Sequence, residues 1–366
     1  MSWMPPQEWA VRLNAIPFTR PEKVLALWEG LGPEGLASSG DAEWAAASGL
    51  SPEVSSRWRR QALAFDAEGE ARRSQALGAR LLVRGEADYP ALLACLPDAP
   101  LALYALGRLE DAPGVAVIGA RAPTAYGRRA ARRLAADLAR RGVVVVSGLA
   151  RGVDAEAHQA ALEAGGKTWA VLGSGLGDVY PPENRDLARR IADGGGGVLS
   201  EYPCSTPPAP ALFPRRNRVV AGLSWATVVV EGRAASGALL TAKNALDYGR
   251  EVLAVPGPID SPLSEAPHRL IRDGARPAMS VSDVLSCLPS GVSLQPLACV
   301  PRRAGPSAEG DEGRILSILG GEALSLDELG RMTGLDMGRL SLIMFGLEIK
   351  DLVTAAPGQR YGKKAS

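Results

Sequence analysis

Between residues 114 and 257 six short apolar runs alternate with helix-forming segments, and this alternation restricts the fold more than any other feature. The runs are GVAVIG (114–119), VVVVSG (143–148), TWAVLG (168–173), GVLSEYP (197–203), ATVVVEG (226–232) and EVLAVPG (251–257). Between them lie AYGRRAARRLAADLARRG, DAEAHQAALEAGG, NRDLARRIADGG and ALLTAKNALDYG, while GVLSEYP leads into a long loop. Strands that are apolar throughout, rather than at every second residue, belong to a parallel sheet covered by helices on both faces. The expected class is therefore α/β with a central Rossmann-like parallel sheet. Right-handed crossovers then bring the C-terminal ends of all these strands to one edge.

The flanks read differently. A chain of 366 residues exceeds one ordinary core, and composition divides it into a helical segment 1–75, the Rossmann-like part 76–285, a linker 286–309 and a C-terminal module 310–366. The first holds five of the seven tryptophans (Trp3, Trp9, Trp28, Trp44 and Trp58), read as core rather than as a stacking platform. The linker is rich in Pro, Gly and Ser without periodicity. The last segment reads helix, helix, turn, helix, hairpin. Ser325 with Glu328 has the spacing of a capping box and Gly334 marks the turn, a winged-helix pattern.

Charge and cysteines exclude several classes. With 41 basic and 40 acidic side chains, a nucleic-acid site must come from local clustering. Four cysteines (Cys95, Cys204, Cys287 and Cys299) lack CxxC spacing, and only His158 and His268 could join them, so no structural zinc site and no cofactor is expected. Unpaired cysteines suit a reducing cytoplasm. The start MSWMPPQEWAV lacks the pattern of a signal peptide. No apolar run of about 18 residues is present to span a bilayer.

Gly119, Gly148, Gly173, Gly175, Gly232 and Gly257 close the strands, which lets backbone amides approach an anion at the sheet edge. The first loop, GARAPTAYG, is not G-x-G-x-x-G and carries Arg121 where dinucleotide folds keep a small residue; no P-loop occurs either. Phe213-Pro214-Arg215-Arg216-Asn217-Arg218 combines phosphate-neutralising arginines with a ring for base stacking, although an isolated run of this kind is commonly a solvated loop. Asp154 and His158 share a helix face and read as a structural pair. Glu201 and Glu231 end strand-like runs, where an enzyme would place carboxylates.

At this point the sequence resembles a known family. VIGARAPTAYG, SGLARGVDAEAH (147–158), VLGSGLGDVYPPEN (171–184), LSEYP (199–203), FPRRNRVVAGLS (213–224), VVEGRAASGALLTAKNAL (229–246) and AVPGPIDSPLS (254–264) are similar to successive blocks of the DprA/Smf DNA-processing proteins, over roughly residues 78–276. The resemblance implies a non-enzymatic single-stranded DNA-binding protein, with no catalytic residues and no metal. Such a protein dimerises through its Rossmann domain and passes strands to a RecA-type recombinase in natural transformation and recombinational repair. It also implies a sterile-alpha-motif (SAM)-like N-domain and a winged-helix C-domain. Matched block by block, the implied ssDNA contacts are Arg121; Ser147, Gly148 and Arg151; Phe213, Arg215, Arg216, Asn217 and Arg218; and Ser236, Gly237 and Thr241, with Lys243 one turn beyond.

The sequence departs from the family pattern in places. Ala120 replaces a motif serine, Glu265-Ala266-Pro267-His268 interrupts an expected glycine-containing stretch, and AIPFTRPEK lacks a helix-hairpin-helix glycine pair. Residues 310–366 hold eight acidic and seven basic side chains, so this module binds either duplex DNA or a protein, with the acidic balance favouring a protein. The alternative functions are a nucleotide phosphoribohydrolase of the LOG-like type, whose P-G-G-x-G-T block is not kept in order here, and a winged-helix transcription regulator.

Overall fold

The computed structural model describes residues 3–17, 19–109, 112–289, 294, 311–319, 324–349, 352–356 and 360–363. Two compact units are formed, residues 1–298 and 299–366. Most of the expected linker 286–309 lies outside the described residues.

The first unit opens with five helices: α1 (Pro5–Asn14), α2 (Pro21–Ser38), α3 (Asp41–Ser48), α4 (Pro52–Ala64) and α5 (Ala67–Ala76). Proline starts α1, α2 and α4, where its missing N–H costs nothing. Trp9, Trp44 and Trp58 are buried, with the rings of Trp9 and Trp44 meeting edge to face at 6.2 Å. These tryptophans share one core with Leu101, Tyr104 and Leu172 of the sheet region. The boundary expected at residue 75 therefore does not separate two cores, because the helices cover a sheet face that would otherwise be open.

The sheet has nine strands: β1 (Arg80–Val83), β2 (Ala102–Gly107), β3 (Gly114–Ile118), β4 (Val144–Ser147), β5 (Thr168–Val171), β6 (Gly197–Ser200), β7 (Ala226–Val229), β8 (Glu251–Ala254) and β9 (Arg276–Pro277). Their order is β1-β2-β6-β5-β4-β3-β7-β8-β9. All pairings from β6 to β9 are parallel. The antiparallel strands β1 and β2 extend one edge beyond the expected parallel set.

Helix α6 (Ala91–Ala94) lies between β1 and β2; between β3 and β9 the chain forms α7 (Ala125–Arg140), α8 (Val153–Glu163), α9 (Arg185–Asp193), α10 (Leu212–Gly222), α11 (Gly237–Asp247) and α12 (Glu265–Arg272), and α13 (Val281–Leu285) follows β9. One face of the sheet buries Val115, Val117 and Val145 against Leu134 and Leu138 of α7. The other buries Ala116, Val146 and Val229 against Val219 of α10 and Ala242 of α11. From β3 the chain winds outward through β4, β5 and β6, then returns to the opposite side of β3 for β7 and β8. The connections after β3 and β7 thus diverge, which opens a crevice at the strand C-termini.

Two local expectations are corrected. The arginine run 213–218 lies in helix α10, not in a loop; Pro214 is tolerated because it falls in the first turn. Glu265-Ala266-Pro267-His268 begins α12, and the Glu265 carboxylate accepts the Ala234 amide at 3.0 Å.

The second unit has α14 (Asp311–Ile318), β10 (Leu324–Ser325), α15 (Leu326–Thr333), α16 (Met337–Ile349), β11 (Val353–Ala356) and β12 (Arg360–Lys363), with sheet order β10-β12-β11. Ser325 caps α15, accepting the Glu328 amide at 3.3 Å, while the Glu328 carboxylate accepts the Ser325 amide at 2.8 Å. Gly334 ends the helix in the left-handed region at φ 73°. Ile315, Leu329, Leu340, Met344 and Val353 form the core of this winged helix. No described helix is long and apolar enough to cross a membrane.

Candidate nucleic-acid interface

The crevice between β3 and β7 is a cavity of about 780 Å³. Its walls are the loop Gly119–Ala122 after β3, Gly148 and Ala150 after β4, Tyr180 after β5, the first turns of α10, and residues 232–241 leading into α11. Each wall follows from the sheet order: a short strand ends, the chain turns, and the next helix starts beside the opening.

The loop after β3 is fixed from β7. The Glu231 carboxylate accepts the Thr124 amide at 2.9 Å and its hydroxyl at 2.5 Å, and Thr124 caps α7 by accepting the Gly127 amide at 3.1 Å. This leaves Arg121 exposed, its guanidinium 5.9 Å from the Phe213 ring centroid. Arg121 enters no ion pair among the described residues, whereas Arg128, Arg132 and Arg140 of α7 all do.

The loop after β4 is a rigid turn. The Ser147 hydroxyl donates to the Val117 carbonyl at 2.7 Å, and the Asp154 carboxylate accepts the Gly148 amide at 3.1 Å. Leu149 is held at φ 56°, a conformation a leucine adopts only under constraint. The Asn184 amide supplies that constraint by donating to the Leu149 carbonyl at 2.9 Å. Ser147 is buried and does not reach the cavity, and Arg151 is exposed and paired with Glu183.

Helix α10 turns its arginines in different directions, as successive helical residues must. Phe213, Arg216 and Asn217 line the cavity. Arg215 points to the N-terminal helices and donates to the Thr19 carbonyl at 2.9 Å. Arg218 is buried in an ion pair with Glu201. Arg216 is itself buried, donating to the Gly148 carbonyl at 2.5 Å and to the Val171 carbonyl. Burial holds its guanidinium pKa below the ordinary value and raises that of the neighbouring Asp154 carboxyl, against the favourable field each feels from the other.

On α11, Ser236 and Gly237 stand at the helix start and Thr241 lies one turn in, all facing the cavity. The Asn217 side chain donates to the Gly237 carbonyl at 3.3 Å, tying α10 to α11. Lys243 is exposed and does not line the cavity.

The expected pairing of Asp154 with His158 does not occur. His158 Nδ1 lies 2.6 Å from the Thr168 hydroxyl, and burial lowers the imidazole pKa to about 3, so the ring is neutral. Asp154 instead serves the Gly148 turn. Glu201 and Glu231 are likewise engaged, the first by Arg218 and the second by Thr124. No group of three or more metal-ligating side chains occurs among the described residues.

Sequence reasoning missed Tyr180 and Arg233, both exposed on the cavity wall. Tyr180 lies in the segment VYPPEN, and its aromatic character was the available signal. Arg233 directly follows the strand-closing Gly232. The winged helix was expected to lack a basic stripe, and the outward side of α16 carries exposed Leu342 and Phe345, with Arg339 paired to Asp311 at 2.7 Å.

A Rossmann-like sheet with an arginine-bearing pocket at its switch point, followed by a winged helix, defines a two-unit class of protein. The chain belongs to the DNA recombination-mediator protein A family, whose model matches residues 80–289; residues 300–359 match the DprA winged helix domain. It is 36% identical over 324 residues to the Smf protein of a Synechocystis species, covering 78% of this chain and 80% of that one. The X-ray structure of DNA processing protein A from Streptococcus pneumoniae is similar with a TM-score of 0.67 and 33% identity, covering 78% of this chain and 98% of that one. A Helicobacter pylori DNA processing protein A structure, described for its single-stranded DNA binding mode, gives a TM-score of 0.52 at 30% identity, covering 57% and 94%.

Proposed function

We propose that this chain is a cytoplasmic, non-catalytic protein that holds single-stranded DNA in the switch-point cavity. In this reading it dimerises through the Rossmann-like domain and loads a RecA-type recombinase onto the strand, in natural transformation and recombinational repair. The observation that carries the reading is the meeting of Arg121, Phe213 and Asn217 with Ser236 and Gly237 around one cavity. These supply a cation, a ring and hydrogen-bonding groups, the set a polynucleotide needs. The single-stranded DNA binding ascribed to the Helicobacter pylori protein supports it.

Among the residues the family resemblance implicates, Arg121, Phe213, Asn217, Ser236, Gly237 and Thr241 are read as the contacts. Ser147, Gly148, Arg216 and Arg218 are read as the scaffold that shapes the pocket. Arg151, Arg215 and Lys243 lie outside it. Residues 1–75 act as a cover for the sheet and the winged helix as a docking module for a protein. A phosphoribohydrolase draws no support here, since both strand-end carboxylates are committed to other side chains.

The test is gel retention of a labelled oligo-dT. The unaltered chain should bind with log affinity falling by about 0.7 per log unit of salt for each phosphate neutralised. Arg121→Glu, at an exposed position, should lose retention while keeping its Tm. Undiminished binding by that variant defeats the proposal.

A further inference from the structure

The arginines of α7 fall into two rows that the fold treats differently. On the side turned to α8, Arg128 and Arg132 meet the Glu156 carboxylate at 3.8 and 3.2 Å, and Arg132 also pairs with Glu163. Arg129 and Arg133 are exposed and enter no ion pair or hydrogen bond among the described residues. Four residues apart, they stand one above the other on the outward face, opposite the buried Gly127, Ala131, Leu134 and Leu138. Side chains on a helix lean toward its N-terminus, so both cations are directed back along α7 toward its start. That start adjoins the crevice: α7 begins at Ala125, three residues beyond the cavity-lining Ala122. Tyr126 spans the step between them. Its hydroxyl donates to the Pro256 carbonyl at 2.5 Å, which fixes a partly exposed ring there. Burial and the Glu231 carboxylate raise the pKa of this phenol, and the Arg129 guanidinium stands close enough to oppose them.

The unpaired row has no stabilising task within the chain. Helix α7 carries no acidic side chain in its first turn, whereas α8 has Asp154 and Glu156 there and α9 has Asp186. Cations near a helix N-terminus oppose its macrodipole, so this end of α7 is electropositive and gains from an anion supplied from outside. An isolated pair of surface arginines would be no more than a solvated face; here the pair continues outward from Arg121, and its neighbours on the same helix are already neutralised. We propose that Arg129 and Arg133 form a phosphate-binding track outside the cavity, which takes the backbone of the single strand where it leaves the crevice. The two positions are about 6 Å apart along the helix, so both can engage one strand. Arginines on an exposed helix face neutralise phosphates without reading base edges, so the track is indifferent to sequence. The inference rests on the reading that the crevice holds single-stranded DNA.

The experiment measures fluorescence anisotropy across a salt series on the full chain, with oligo-dT of about six nucleotides, which the crevice alone can hold, and of about sixteen, which can also reach α7. The double variant Arg129→Ala with Arg133→Ala should bind the longer oligonucleotide more weakly, with a log–log salt slope shallower by about 1.4, or 0.7 for each phosphate contact removed. Its affinity for the shorter one should not change, and neither should its Tm. The pair Arg129→Lys with Arg133→Lys should keep the unaltered slope, since it keeps both charges. Arg132→Ala should keep it too, because that cation is already paired. Arg121→Ala should weaken both lengths. An unaltered slope for the double alanine variant overturns the inference, as does an equal loss on both lengths or a loss confined to a duplex hairpin. If Arg121→Ala still weakens binding in those cases, the single-stranded DNA reading survives without the track. If the unaltered chain binds neither oligonucleotide, both readings fall.

Discussion

Arg216 and Arg218 stand two residues apart on α10 and face opposite ways: Arg216 braces the Gly148 turn beside the cavity, and Arg218 neutralises Glu201 away from it. A block that reads in sequence as one cationic patch is thus divided by helical rotation into separate tasks. Arg121, from the other side of the crevice, presents an exposed guanidinium beside Phe213 that enters no ion pair among the described residues.

The division makes Arg218 a stability residue. Arg218→Ala leaves the Glu201 carboxylate buried without its cation, which costs about 3–5 kcal/mol. Chemical denaturation should show this loss, while the folded fraction binds oligo-dT as before. Unchanged stability with lost binding would make Arg218 a direct contact after all.

Gly173 has to lack a side chain for Phe213 to fit, since a Cβ there would come 2.6 Å from the ring. Gly173→Ala should cost about 1–3 kcal/mol through overpacking and weaken oligo-dT binding by displacing the ring. In a Phe213→Ala background the same substitution should cost little, a non-additivity that a double-mutant cycle measures. Additive costs would show that the two do not interact.

These relationships also mark the limits of what the sequence conveyed. The parallel strands were legible because Val115–Ile118 and Val144–Val146 are apolar on both faces, and the capping of α15 because Ser325 and Glu328 carry it within four residues. Helix α10 was not, since Pro214 and three arginines look like a loop until Val219 and Val220 are seen packed on the sheet. The shared core was also hidden, because Trp3 and Tyr104 meet only through tertiary packing. Within the site, Arg121 and Phe213 were legible as types. Which arginines reach the cavity depends on helical phase, and that only the folded chain fixes.

His158 gives the fold a pH dependence. Its pKa falls to about 3 in the folded chain, against about 6.5 for an unfolded histidine. The unfolded state therefore binds one more proton between these values. The contribution of His158 is fully present above pH 6.5 and is lost as the pH falls toward 3, at about 1.4 kcal/mol per pH unit. Urea midpoints between pH 7 and pH 5 should fall more steeply for the unaltered chain than for His158→Gln. Equal slopes would mean that the imidazole is protonated inside the fold.

The most direct measurement locates the strand itself. Oligo-dT carrying 5-iododeoxyuridine can be photocrosslinked to the full chain and the attachment mapped by mass spectrometry. The expected result is crosslinking to Tyr180 or Phe213, abolished by Arg121→Glu. Crosslinks confined to residues 299–366, or to the surface of α1–α5, would contradict a DNA site at the crevice between β3 and β7.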